Sequence, residues 1–116
     1  MKRNNGSIVL AVITLVILPP PALSASGGAQ LSAWCGSSQH SGSSARGDYR
    51  HLMGYVQGAA DALIEHREAC PPDEANIGHG VDIVCRYVAA NRQLWSSTKY
   101  VLTRDALAKA FPCSKR

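Results

Sequence analysis

Four cysteines, four histidines and eight carboxylates are the side chains of this 116-residue chain with the chemistry for catalysis, metal binding or cross-linking. The histidines and acids do not assemble into a motif. Glu65-His66 is a fragment of a zinc-protease helix, but the second histidine of H-E-x-x-H is missing. Neighbours on a helix point about 100° apart, so these two do not share a face. His51, Asp61, Glu65 and His66 read as the solvated face of one helix, His40 as part of a Ser/Gly-rich loop, and His79 as a first-turn residue. There is no G-x-S-x-G, no phosphate-binding glycine loop and no C-x-x-C pair. No catalytic residue, metal site or cofactor is therefore expected. The cysteines remain: Cys35, Cys70, Cys85 and Cys113. An even number in a short exported domain reads as two disulfides, because a small core needs staples and an oxidising compartment keeps them closed.

The evidence for export stands at the start of the chain. Lys2 and Arg3 precede an apolar run from Ile8 to Leu18, which Pro19, Pro20 and Pro21 stop; small residues follow from Ala22 to Ser26. A charged head, a short apolar stretch and a small-residue cleavage site make a secretory signal peptide. The run is too short for a spanning helix, which needs about 20 apolar residues. Cleavage is expected after Ser24, giving a signal peptide over 1–24 and one domain over 25–116, with no lipid anchor and no membrane attachment once cut. The formal net charge of +4 loses two basic residues with the leader. So mild a balance argues against a nucleic-acid partner.

The elements that position the cysteines are helices. Leu31, Ala33 and Trp34 form a short one ending near Cys35, and Gly36 to Gly47 follows as a flexible Ser/Gly loop. A long helix runs from Asp48, as N-cap, to about Ala69. Tyr49, Leu52, Val56, Ala59 or Ala60, and Leu63 give it an apolar face, and Cys70-Pro71-Pro72 ends it. Gly54 and Gly58 lie four apart inside it, a pair that reads as a flat strip for tight internal helix packing. The next helix is capped by Asn76 and carries Ile77, Val81, Val84 and Val88; it fades at Asn91. A last helix spans about Ser97 to Phe111 and stops at Pro112. No alternating strand pattern occurs, so the fold class is all-α, a short N-terminal helix plus three main ones. Short loops make neighbouring helices antiparallel, so the ends bearing Cys70 and Cys113 converge. Of three connectivities this favours Cys70–Cys113 with Cys35–Cys85.

The segment Gly54-Tyr55-Val56-Gln57-Gly58-Ala59-Ala60-Asp61-Ala62 resembles the GYxxGxxDA signature of the Rap/Tai immunity proteins of bacterial type VI secretion. Leu31 to Cys35, Cys70-Pro71-Pro72, Val81-Asp82-Ile83-Val84 with Tyr87-Val88, and Ala106-Leu107 through Phe111-Pro112-Cys113 resemble the family's other segments in order. Two departures stand out. Leu52 occupies a position where many relatives carry a cysteine, and Cys85 is added in the following helix.

The resemblance implies function by binding. Relatives are periplasmic, all-helical and often homodimeric, and they occlude the active site of a secreted peptidoglycan amidase effector. Their protruding loop corresponds here to Arg92, Gln93, Leu94, Trp95 and Ser96. Trp and Arg are frequent interface hot spots, but Trp95 could equally fold back beside Leu94 onto the core. The alternative function is a periplasmic stress or chaperone-like interaction protein on the same scaffold, with no toxin partner.

Overall fold

The computed structural model describes residues 15–16, 26–37 and 42–114. The expected signal peptide, apart from Leu15 and Val16, and His40 lie outside the described residues.

Four helices follow in order: α1 (Gly27–Ser37), α2 (Ser43–Glu65), α3 (Ile77–Ala90) and α4 (Lys99–Ala110), with a single 3₁₀ turn, Arg92–Leu94, between the last two. Among the described residues there is no strand. Each helix packs against each of the other three. The core is their shared centre: Leu31 of α1, Leu52, Val56 and Leu63 of α2, Val81, Val84 and Val88 of α3, and Leu102, Ala106 and Leu107 of α4. These recur at three- and four-residue intervals, which puts one stripe of each helix inside. The expected apolar faces of α2, α3 and α4 are the ones found buried.

Both staples form as the helix order required. Cys35–Cys85 ties α1 to α3, and Cys70–Cys113 ties the segment after α2 to the one after α4. Beside the second staple, the Cys70 N–H donates to Phe111 O at 2.8 Å.

Several helix ends differ from expectation: α1 begins at Gly27, ahead of Leu31, and α2 differs at both ends. α2 begins at Ser43, inside the stretch read as flexible loop, and Asp48 is not its cap. The Asp48 carboxylate instead accepts a hydrogen bond from the Ser37 hydroxyl at 2.9 Å, bridging α1 to α2. α2 also stops at Glu65 rather than near Ala69. Its C-terminus closes with the Glu68 N–H donating to Leu63 O at 2.8 Å and the Arg67 N–H to Ile64 O at 3.1 Å. Those are the two bonds of a Schellman turn, and Arg67 holds its left-handed position with φ 56°. The chain is thereby reversed early, and Ala69 drops into the core.

The caps of α3 and α4 are local. Asn76 Oδ1 accepts from the His79 N–H at 3.1 Å, as the sequence indicated. Thr98 Oγ1 accepts from the Val101 N–H at 3.2 Å, and α4 starts at Lys99, two residues after the Ser97 expected.

Gly54 and Gly58 require a correction. Both are exposed, and a Cβ built on either would meet nothing within 4 Å. The buried line of α2 runs through Leu52, Val56, Ala59 and Leu63, about half a turn away. Internal packing therefore has no use for this pair. The glycines that do permit close packing are Gly27 and Gly28. A Cβ on Gly28 would stand 2.3 Å from Trp95 Cγ and 2.5 Å from its Cα; one on Gly27 would stand 2.3 Å from Ser97 O. α1 lies directly on the backbone that leads into α4.

Candidate interaction surface

The turn between α3 and α4 is built from short-range bonds. The Leu94 N–H donates to Asn91 O at 2.9 Å, the Trp95 N–H to Arg92 O at 3.1 Å and the Ser97 N–H to Leu94 O at 2.9 Å. Asn91 fastens the start: its Nδ2 donates to Tyr87 O at 2.8 Å, and its Oδ1 accepts from Gln93 Nε2 at 3.3 Å. The far side is fastened to α1, whose Gly28 N–H donates to Trp95 O at 3.1 Å.

Trp95 is half-buried and faces inward. Its Nε1–H donates to Val88 O at 2.9 Å, which satisfies both the indole donor and a carbonyl near the end of α3. The Arg92 guanidinium lies over the outer ring face, 4.9 Å from the centroid. Leu94 is half-buried too, while Arg92, Gln93 and Ser96 are exposed. The five residues are thus contiguous, but they divide into an inner pair that anchors the turn and three outer side chains that it presents.

A second cluster adjoins α1 and went unread in the sequence. Trp34 stacks on His51 with ring centroids 6.0 Å apart and stands 6.2 Å from Tyr55. Lys99 Nζ sits 5.1 Å from the Trp34 centroid and 5.7 Å from that of Tyr55, and it donates to Gln30 Oε1. Burial, and next the neighbouring Tyr100, push the Tyr55 hydroxyl above the usual tyrosine range. The cation over two rings is a tie between α1, α2 and α4. Nothing in the spacing of Trp34, Tyr55 and Lys99 reveals it, since each belongs to a different helix.

The remaining titratable residues singled out in the sequence stay apart. Asp61, Glu65 and His66 are exposed on or just after α2, and His79 is exposed on α3. Among the described residues no group of three or more His, Cys, Asp or Glu is placed to hold a metal ion. No helix among them is long and apolar enough to cross a membrane.

What this arrangement can do is present a preformed surface. The backbone of the turn is held at both ends, and little side-chain entropy remains to be lost from its inner half. Comparison with known proteins supplies the class. No curated protein and no solved structure matches the chain significantly. The family model of Rap1a immunity proteins matches residues 27–113, from the first residue of α1 to the last cysteine. That span takes in all four helices, both disulfides and the turn, and the chain belongs to the family of Rap1a immunity proteins.

Proposed function

We propose that this chain is a periplasmic immunity protein of type VI secretion that inhibits a peptidoglycan amidase effector by covering its active site with the turn Arg92–Ser96. Membership of an immunity family supports a non-enzymatic inhibitor that acts by binding a protein. The apolar run and small-residue site at the start of the sequence support export. The observation that carries the choice of surface is the turn itself. It sets Arg92, Gln93 and Ser96 outward on a backbone tied to α1 and α3. A turn fastened at both ends binds without first having to be ordered.

The test is inhibition. The oxidised chain, cut after Ser24, is mixed with candidate cell-wall amidases, including any encoded beside it, and binding and peptidoglycan cleavage are measured together. Tight binding with loss of cleavage is expected. Arg92→Ala with Gln93→Ala should weaken it at least tenfold while lowering the unfolding midpoint only slightly, because both side chains are exposed and give up no more than the Arg92 contact with Trp95 and the Gln93 bond to Asn91. Failure to bind or inhibit any such hydrolase would end this reading.

A further inference from the structure

Of the four helices, α1 has the least apolar surface to hold it in place. It buries only Gly28 and Leu31, whereas α2, α3 and α4 each sink a stripe of side chains into the core. It has 11 residues, and isolated helices shorter than about 12–15 residues are marginal in water. Ordering it costs conformational entropy on a scale that one buried leucine, the half-buried Trp34 and a few hydrogen bonds roughly match. The covalent hold is Cys35–Cys85, which fixes the last part of α1 to the middle of α3 with the two Cα atoms 5.7 Å apart.

The other end of α1 rests on the chain that leaves the turn. The Gly28 N–H donates to Trp95 O at 3.1 Å, and the backbone of residues 97–99 lies where a Cβ of Gly27 would stand. Lys99 reaches back to Gln30 and lies over the Trp34 ring, 5.1 Å from its centroid. These links close a ring. From Cys85 about one turn of α3 leads to Val88, whose carbonyl accepts the Trp95 indole N–H at 2.9 Å. The Trp95 carbonyl takes the Gly28 N–H, and about 10 Å of α1 leads back to Cys35. Cys70–Cys113 shares no residue with this ring. It joins segments beside the start of α3, where Pro71, Ile77 and Phe111 meet.

We propose that Cys35–Cys85 is a positioning element for the interaction turn: it holds α1 down as a strap, and the strap sets the path of Trp95 to Lys99. With the bond open, the strap leaves. The turn then keeps only its attachments to α3, from Asn91 Nδ2 to Tyr87 O and from Trp95 Nε1 to Val88 O, while α2, α3 and α4 stay packed under Cys70–Cys113. Docking of α1 without the bond is transient. It lets the two sulfurs meet, and the bond then makes it lasting. This rests on reading Arg92–Ser96 as the interaction surface, and it adds that the surface is complete only when this one disulfide is closed.

The test compares the oxidised parent with Cys35→Ser, Cys85→Ser, both cut after Ser24, ¹⁵N-labelled and with Cys70–Cys113 closed. In the variant, the amides of residues 27–37 should collapse into the narrow range of an unstructured chain. The amides of Arg92 to Ser97 should move from their parent positions, and the Trp95 indole N–H should exchange with solvent at least tenfold faster. The amides of Ala60 to Ile64 and of Leu107, at the far end, should stay where they are in the parent. A staple that adds stability alone would lower the melting midpoint and leave every resonance in place except those beside residues 35 and 85. That result would overturn the proposal. So would loss of α1 with the turn unmoved. A variant that does not fold would overturn it too, since α2, α3 and α4 must stand without the strap. No effector enters the measurement, so its failure and that of the proposed function are distinguishable.

Discussion

Replacing glycine by alanine should act in opposite directions at the two glycine pairs. At Gly28 the new Cβ would stand 2.3 Å from Trp95 Cγ and 2.5 Å from Trp95 Cα. The Cα belongs to a backbone held by Asn91, Val88 and α1, so it cannot turn aside as a flexible side chain would. α1 must lift. Overpacking of this kind costs about 1–3 kcal/mol. The bond from the Gly28 N–H to Trp95 O is lost as well, worth about 1 kcal/mol. Better helix propensity returns at most about 1 kcal/mol. Gly28→Ala should therefore destabilise the domain by about 2 kcal/mol. At Gly54 and Gly58 there is no such collision, and only the propensity gain remains, about 1 kcal/mol at each. For a domain of this size 1 kcal/mol moves the thermal midpoint by roughly 4–8 °C. Thermal and urea unfolding of the oxidised chain, followed by circular dichroism, should show Gly28→Ala melting about 8–16 °C lower. The Gly54→Ala, Gly58→Ala double variant should melt higher by a similar amount. If Gly28→Ala is neutral, or the double variant melts lower, the assignment of which pair packs and which is exposed is wrong.

Arg67 occupies a left-handed position that glycine adopts freely, so Arg67→Gly should raise stability by about 0.5–1 kcal/mol in urea unfolding. Thr103 is fully buried and its hydroxyl has no hydrogen-bond partner, so the near-isosteric Thr103→Val should stabilise by about 1 kcal/mol, read the same way. Replacing Cys70 and Cys113 together by serine opens a span of 43 residues and should cost about 4 kcal/mol, seen as a lower urea midpoint than that of the oxidised parent. Tyr55 ionises above its unfolded-chain range, so the unfolded chain releases this proton first as pH rises. Stability is full below the unfolded pKa and falls as pH climbs through the folded one. Tyr55→Phe should lessen the alkaline fall in midpoint above about pH 10.

The sequence made the helices and staples readable because their signals are local or nearly so. Leu52, Val56 and Leu63 mark one face of α2 by spacing alone, and Asn76 announces the start of α3. Cys70 follows α2 and Cys113 follows α4, two helices that the antiparallel α3 between them sets pointing the same way, which brings the two cysteines together. The rest depends on what arrives from elsewhere in the chain. Asp48 has the composition of a cap, but Ser37 takes its carboxylate and α2 starts earlier. Gly54 and Gly58 have the spacing of a packing motif, but the helix turns them outward. Gly27 and Gly28 look like plain linker until Trp95 and Ser97 are placed against them. The candidate loop was legible as a segment. Its division into an inward Trp95 and outward Arg92, Gln93 and Ser96 was not, because it depends on α1 and on a carbonyl of α3.

The two disulfides interlock: Cys70 lies within the span closed by Cys35–Cys85, and Cys85 within the span closed by Cys70–Cys113. Neither Cys35 nor Cys70 is joined to the cysteine that follows it. A chain oxidised as it emerged from its N-terminus would bring Cys35 and Cys70 together before Cys85 was on hand to compete. The native cross-links therefore require that α1, α3 and α4 dock before any bond is final, or that thiolates later attack and exchange a wrong one. By either route the final pairing of the sulfurs answers to the assembled helices and not to the order in which the cysteines emerge.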